Sequence, residues 1–366
     1  MLKHDGSVWA TGGNTFGQLG IDPRRNVWIV NFVEVVSYGA KVVAAGGKYS
    51  MILKHDGSVW CAGMNAYGQL GDGSITDRHT FVEVIPTYAK ALAAGTKHSL
   101  VVLQDGSVWA TGYNLYGQLG DGSTTHRCEF VQVIPYGAEV VAAGSEHSMV
   151  LKQDGSVWTT GSGQLGDGSS GLKRGFVQVV SSGATAIATG SYHSMVLKED
   201  GIVLATGENV YGQLGDGTTT AKNIFVQVVA RGAKAIAAGH EHSVVQKQDG
   251  SLWATGRNNY GQLGLGSAVS STTFVQVISD GVQIVATGDW DSMVLKHDGS
   301  LWGTGRNLRG QLGVGSTISQ DTFVMVLPPS KGSCWCPSIQ DLQLFQWALP
   351  PFFLFNSPEF MPMSDM

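Results

Sequence analysis

Charge is scarce in this chain. Asp, Glu, Lys and Arg make up 14% of its 366 residues, and the balance is −5 with a pI near 6.0. Such a surface argues against broad nucleic-acid binding, which needs a basic face to neutralise phosphates. The four cysteines, Cys61, Cys128, Cys334 and Cys336, follow no period. No disulfide framework is expected, and a reduced, intracellular chain, cytoplasmic or nuclear, is the simpler expectation. No run of about 18 apolar residues exists, so no membrane span is expected. The N-terminal MLKHDGSVWATGG has no apolar signal-peptide core. No useful stretch carries a 3.6-residue apolar period, which argues against a helical repeat.

Glycine, in contrast, is abundant, with 51 residues. Its placement is periodic. The motif Gly-Gln-Leu-Gly begins at Gly17, Gly68, Gly117, Gly163, Gly212, Gly261 and Gly310, spaced 51, 49, 46, 49, 49 and 49 residues apart. A period near fifty marks a repeat architecture in which each unit borrows its core from its neighbours. The unit is clearest from Asp105 to Gln153, where four strand-like segments read SVWATG, FVQVI, EVVAAG and HSMVLK. HSMVLK meets the next SVWATG through an Asp-Gly pair, a strong hairpin signal because both residues tolerate the positive φ of a tight reversal. Four short strands in each of seven units predict an all-β fold, a seven-bladed β-propeller of ~49-residue repeats. The first blade is incomplete by motif, because Met1 aligns with the Met of HSMVLK and the VVAAGxxHS before it is missing. The expected division is a propeller over residues 1–328 and an irregular tail over 329–366.

The combination DGSVWATGxNxYGQLG, then FVQV, then VVAAGxxHS, resembles the repeat of the regulator of chromosome condensation family. The resemblance covers residues 1 to about 328 and implies the same seven-bladed propeller. The tail, with Leu342–Phe355 apolar and broken by Pro350 and Pro351, reads as an extraneous end or as a docking segment for the ring seam.

Positions constant in all units serve the fold, and positions that differ between units are free to serve function. By that test Gly-Gln-Leu-Gly is a structural turn. A phosphate-cradling glycine loop needs a following helix, and none follows. The GxxHS histidines His98, His147, His193 and His242 are replaced by Tyr49 and Asp291 in two units. That substitution pattern fits strand-tying hydrogen bonds rather than a metal set. Cys334-Trp335-Cys336 lacks a second pair for zinc. No catalytic residue, metal or cofactor is expected. Among the variable positions, Arg257, Arg306 and Arg309 fall in adjacent units with Trp290 between them in sequence. Arg and Trp are the commonest energetic anchors of protein interfaces, so these four are the candidate partner-binding residues.

The expected function is a protein–protein interaction scaffold or substrate-receptor propeller, monomeric and without catalysis of its own. The resemblance implies two alternatives. One is guanine-nucleotide exchange on a Ran-type small GTPase. The founding member of the family uses an extra β-wedge in one blade and a basic N-terminal tail; no unit here carries such an insertion, so no exchange residue is carried over. The other is substrate binding, for the ubiquitin pathway, as part of a HECT-type ligase.

Overall fold

The computed structural model describes residues 1–24 and 27–329, together with the backbone of 354–355. The strands of the sequence unit are all present, but the blades are cut differently from the unit. In blade 3 the strands run from the centre outward as Ala89–Ala94, His98–Leu103, Val108–Gly112 and Arg127–Ile134. All neighbours are antiparallel, with Ala94 opposite Ser99 and His98 opposite Gly112. The next strand in sequence, Ala138–Ala143, is the innermost strand of blade 4. Each sequence unit therefore gives its first two strands to one blade and its last two to the next, so the chain itself links neighbouring blades.

Seven four-stranded sheets form in this way. The Asp-Gly reversals behave as their chemistry requires. In blade 2, Gly57 has φ 84° and the Ser58 amide donates to the Asp56 carboxylate at 2.9 Å. Ser58 Oγ then accepts from the Trp60 indole at 2.9 Å, and the Lys54 ammonium sits 3.9 Å over the same ring. This arrangement fixes the Trp at the end of the ring opposite the GxxHS loops.

The core is a series of layers between blades, not one central mass. The second strand of each blade is covered on both faces: Met149, Val150 and Leu151 are all buried, as are Leu100, Val101 and Val102. Burying Leu-sized side chains from water stabilises by roughly 1.5–3 kcal/mol each. The turn leucines Leu70, Leu119, Leu214, Leu263 and Leu312 are fully buried as well.

Blade 1 differs. Its second strand is the two-residue stub Leu2–Lys3, beside Val8–Gly13 and Trp28–Val36. The innermost position is taken by the backbone of Leu354–Phe355, which pairs in parallel, Leu2 with Leu354 and Lys3 with Phe355. The corresponding strands of the other blades are antiparallel. Cys334, Cys336, Pro350 and Pro351 lie outside the described residues.

Candidate partner-binding face

All the GxxHS loops and all the GxNxYGQLG turns emerge on one face of the ring. The two are stitched together within blades 2 to 7, as where Met64 N donates to Lys48 O at 2.9 Å and Arg257 N to Glu241 O at 2.8 Å. Beneath this face lie the histidines. Each reaches the next blade: the Nε2 atoms of His98, His147, His193 and His242 lie 2.8, 2.9, 2.8 and 3.0 Å from the hydroxyls of Ser148, Ser194, Ser243 and Ser292. Ser148, Ser243 and Ser292 direct their own proton to the carbonyls of Gln118, Gln213 and Gln262. For His98, His193 and His242 the imidazole must then donate from Nε2. Burial pushes His98, His193 and His242 down to about 3 and His147 to about 4. Tyr49 fills the same slot in blade 2 and donates its hydroxyl to His98 O at 2.5 Å. These side chains form a belt of ties between blades and do not converge. Among the described residues no three His, Cys, Asp or Glu side chains gather as a metal set.

The Gly-Gln-Leu-Gly turn is held by two side chains. In blade 3, Asn114 Oδ1 accepts from the Leu119 amide at 3.0 Å and Gln118 Oε1 from the Tyr116 amide at 3.1 Å. The first glycine lies against the outermost strand of the following blade. A Cβ on Gly117 would come within 2.5 Å of Lys173 O, and one on Gly261 within 2.3 Å of the Asp321 Cα. Gly17, Gly68, Gly212 and Gly310 are equally close to the next blade, whereas a Cβ on Gly163 would meet nothing within 4 Å. The sequence explains the exception, because unit four lacks the three residues, Asn114-Leu115-Tyr116 in unit three, that stand before the first glycine of the motif.

At four junctions the aromatic ring of the turn is overlaid by a cation from the next blade. The Lys48 ammonium lies 4.8 Å from the Phe16 ring, Lys97 5.1 Å from Tyr67, the Arg257 guanidinium 4.5 Å from Tyr211, and Arg306 5.2 Å from Tyr260. In blades 5 to 7 this becomes one continuous stack. Arg257 also lies 4.9 Å from the Trp290 ring, His240 stacks on Trp290 at 4.4 Å and 22°, and Tyr260 meets Trp290 edge-on at 5.7 Å. Glu241 holds Arg257 at 2.6 Å. Three of the four candidate residues, Arg257, Trp290 and Arg306, therefore share one cluster. Arg309 does not join it. It occupies the tyrosine position of blade 7 and packs toward blade 1, with its Cδ 3.1 Å from where a Gly13 Cβ would sit. Sequence reading missed His240, Tyr211, Tyr260 and Glu241. The signal was positional: they lie on the same two kinds of loop as Trp290 and the arginines.

A family model described as the RCC1-like domain matches residues 42–334. Human WBSCR16 is similar in structure, with a TM-score of 0.79 and 22% identity over 89% of this chain and 94% of its own. Yeast RCC1 (Prp20), solved bound to Kap60, gives a TM-score of 0.76 and 20% identity over 89% and 85%. At these identities the likeness shows the fold. Mouse and human Protein RCC2 are 37% and 36% identical over 78 residues, which is 21% of this chain and 15% of theirs. With the family model spanning most of the ring and the repeat built as described, this chain belongs to the RCC1-like domain family.

Proposed function

We propose that this chain is a protein-binding propeller whose GxxHS face carries the contact, centred on Trp290 with Arg257 and Arg306. The observation that carries this reading is the stack of His240, Trp290 and Arg257 across two neighbouring blades. A partly exposed Trp packed against an imidazole and a guanidinium loses little conformational freedom when a partner covers it, which is the character of an interface anchor. Loops on a rigid frame are also the usual place for recognition. Protein binding suits the relatives: one solved structure has yeast RCC1 in complex with Kap60, and another study of Prp20p concerns its binding to Gsp1p and histones. A substrate receptor would use the same surface in the same way.

The test is affinity capture from lysate by the whole chain and by the R257A/W290A/R306A variant, with bound proteins identified, in magnesium and in EDTA. A partner captured by the wild-type chain and lost by the variant supports the reading. Undiminished capture by a variant with an unchanged melt would overturn it. A small GTPase retained only in EDTA would assign nucleotide exchange instead.

A further inference from the structure

Blade 4 breaks the pattern of a cation laid over the preceding blade's ring. Two consecutive junctions are affected. Between blades 3 and 4 the ring is present, as Tyr116, but the residue at the position of Lys48 and Lys97 is Glu146. Between blades 4 and 5 the ring itself is missing with the three deleted residues, and the blade 5 residues at the stacking positions are Tyr192 and Glu208. Ser162 N donates to Glu146 O at 2.9 Å and Glu208 N to Tyr192 O at 2.8 Å, so these residues occupy the same loop positions as their counterparts. Tyr116 and Tyr192 remain 37% and 40% exposed.

Three independent marks show that the junction is open where the ring is absent. Gly163 has no neighbour within 4 Å at the point where the other turn glycines touch the next blade. Thr111, Thr160, Thr255 and Thr304 each donate to the turn glycine of the preceding blade, while Thr206 bonds only Lys222 O. Buried Ser194 bonds His147 but makes no bond to Gln164 O, unlike the other serines of its position.

The slot also lacks its charge partner. Among the described residues Glu146 and Glu208 form no ion pair, and Tyr116 and Tyr192 have no cation over them. Lys97, the cation nearest Glu146 in the ring, lies over Tyr67 and Tyr113. Arg174, on the outer strand of blade 4, backs onto Gly117 and pairs with neither carboxylate. Partial burial raises the Glu146 and Glu208 carboxyls, and their charges in turn raise the Tyr192 hydroxyl after burial does. Lys97 near Glu146 and His240 near Glu208 offset this only in part, and a carboxylate in such a place is improved by an incoming cation.

We infer that the gap between blades 4 and 5 is a docking slot for an Arg or Lys side chain from a basic segment of a partner protein. The visiting cation would lie over the rings of Tyr192 and Tyr116 and between the carboxylates of Glu146 and Glu208. Four other junctions of this same ring make that contact internally. The slot adjoins the Trp290 stack, because the Tyr192 ring meets the His240 ring edge-on at 6.1 Å, but its four residues are not those of that stack.

The probe is a fluorescein-labelled peptide of alternating Arg and Gly, with a Glu-Gly peptide as its opposite, read by anisotropy at about 0.15 M salt, where diffuse charge effects are screened within roughly 8 Å. Saturable binding of the Arg peptide alone is expected. E146Q/E208Q should weaken it by roughly tenfold or more, as loss of a partly desolvated charge partner does. Inserting Asn-Leu-Tyr between Ser162 and Gly163 restores the missing ring and should block binding. E199Q, at the opposite end of the blade 5 strand, should bind like the wild type. Absence of saturable binding overturns the assignment, as does binding undiminished by the Gln pair, or equal loss in E199Q. If the insertion does not fold, the Gln pair decides.

Discussion

The His147 imidazole crosses a blade boundary to meet the Ser194 hydroxyl at 2.9 Å. Both side chains are buried, so this tie has a pH dependence that can be worked out. An unfolded histidine titrates near 6.5, whereas burial holds His147 neutral down to about 4 and His98, His193 and His242 down to about 3. Above pH 6.5 both states are neutral and the tie contributes fully. As pH falls below 6.5 the unfolded chain gains protons that the folded chain refuses, so stability is lost toward pH 4. At pH 5.5 the loss is about 1.3 kcal/mol for each such histidine. Asp291 runs the other way. Burial and the Asp289 charge push it up to about 7, so it disfavours the folded state once pH rises past the unfolded carboxylate range. The difference between variants therefore isolates the histidine. H147Q should flatten the fall in denaturation midpoint between pH 6.5 and 4 by about one proton's worth. An identical pH profile would remove His147 from the explanation.

Gly117 and Gly163 occupy the same motif position with different surroundings, at φ 68° and 95°. Alanine at either must adopt a left-handed conformation, which costs about 1–2 kcal/mol. At Gly117 the new methyl also meets Lys173 O at 2.5 Å, whereas at Gly163 it enters open space. G117A should lose at least about 3 kcal/mol by chemical denaturation and G163A only the conformational part. Equal losses would mean that the two turns pack alike.

Much of this molecule is legible in its sequence, for reasons that are local. Asp56-Gly57 announces a reversal because the turn geometry belongs to those two residues. Met149, Val150 and Leu151 announce a strand buried on both faces because nothing polar interrupts them. The histidines could be assigned to ties because Tyr49 can replace them. The candidate face was only partly legible, because its contacts run sideways between blades. Arg257 rests on Tyr211, 46 residues away and in another unit, and no spacing rule within one unit points there. Arg309 looked equivalent to Arg306, yet it fills the ring position rather than the position over the ring. The deletion before Gly163 was visible in sequence, but its consequence depends on knowing which side chains the missing ring would have covered.

Asn114 is a second place where one residue holds a turn. It is fully buried; its Oδ1 takes the Leu119 amide at 3.0 Å, and its Nδ2 reaches Asp121 Oδ1 at 3.0 Å and Thr125 O at 3.1 Å. N114A leaves a buried amide and carbonyls without partners, so a loss of about 2–4 kcal/mol in urea denaturation is expected. N114D keeps the acceptor for Leu119 but brings a second carboxylate to Asp121, so it should not restore stability. Rescue by N114D would place the whole effect on the Leu119 amide.

The contact between Arg257 and Trp290 can be separated from the ion pair beside it. Arg257 has two attachments: the Glu241 carboxylate at 2.6 Å, and the faces of Tyr211 and Trp290 at 4.5 and 4.9 Å. Lysine preserves the charge for Glu241 but has no planar group to lie between two rings. R257K should therefore keep the electrostatic part and lose the stack. In a double-mutant cycle, R257A with W290A should show a coupling of about 0.5–2 kcal/mol in unfolding free energy, and R257K with W290A nearly as much. If the stack also presents Trp290 to a partner, R257K will weaken partner capture almost as strongly as R257A. Capture retained in R257K and lost in R257A would instead place the contribution on the charge, with Trp290 as packing alone.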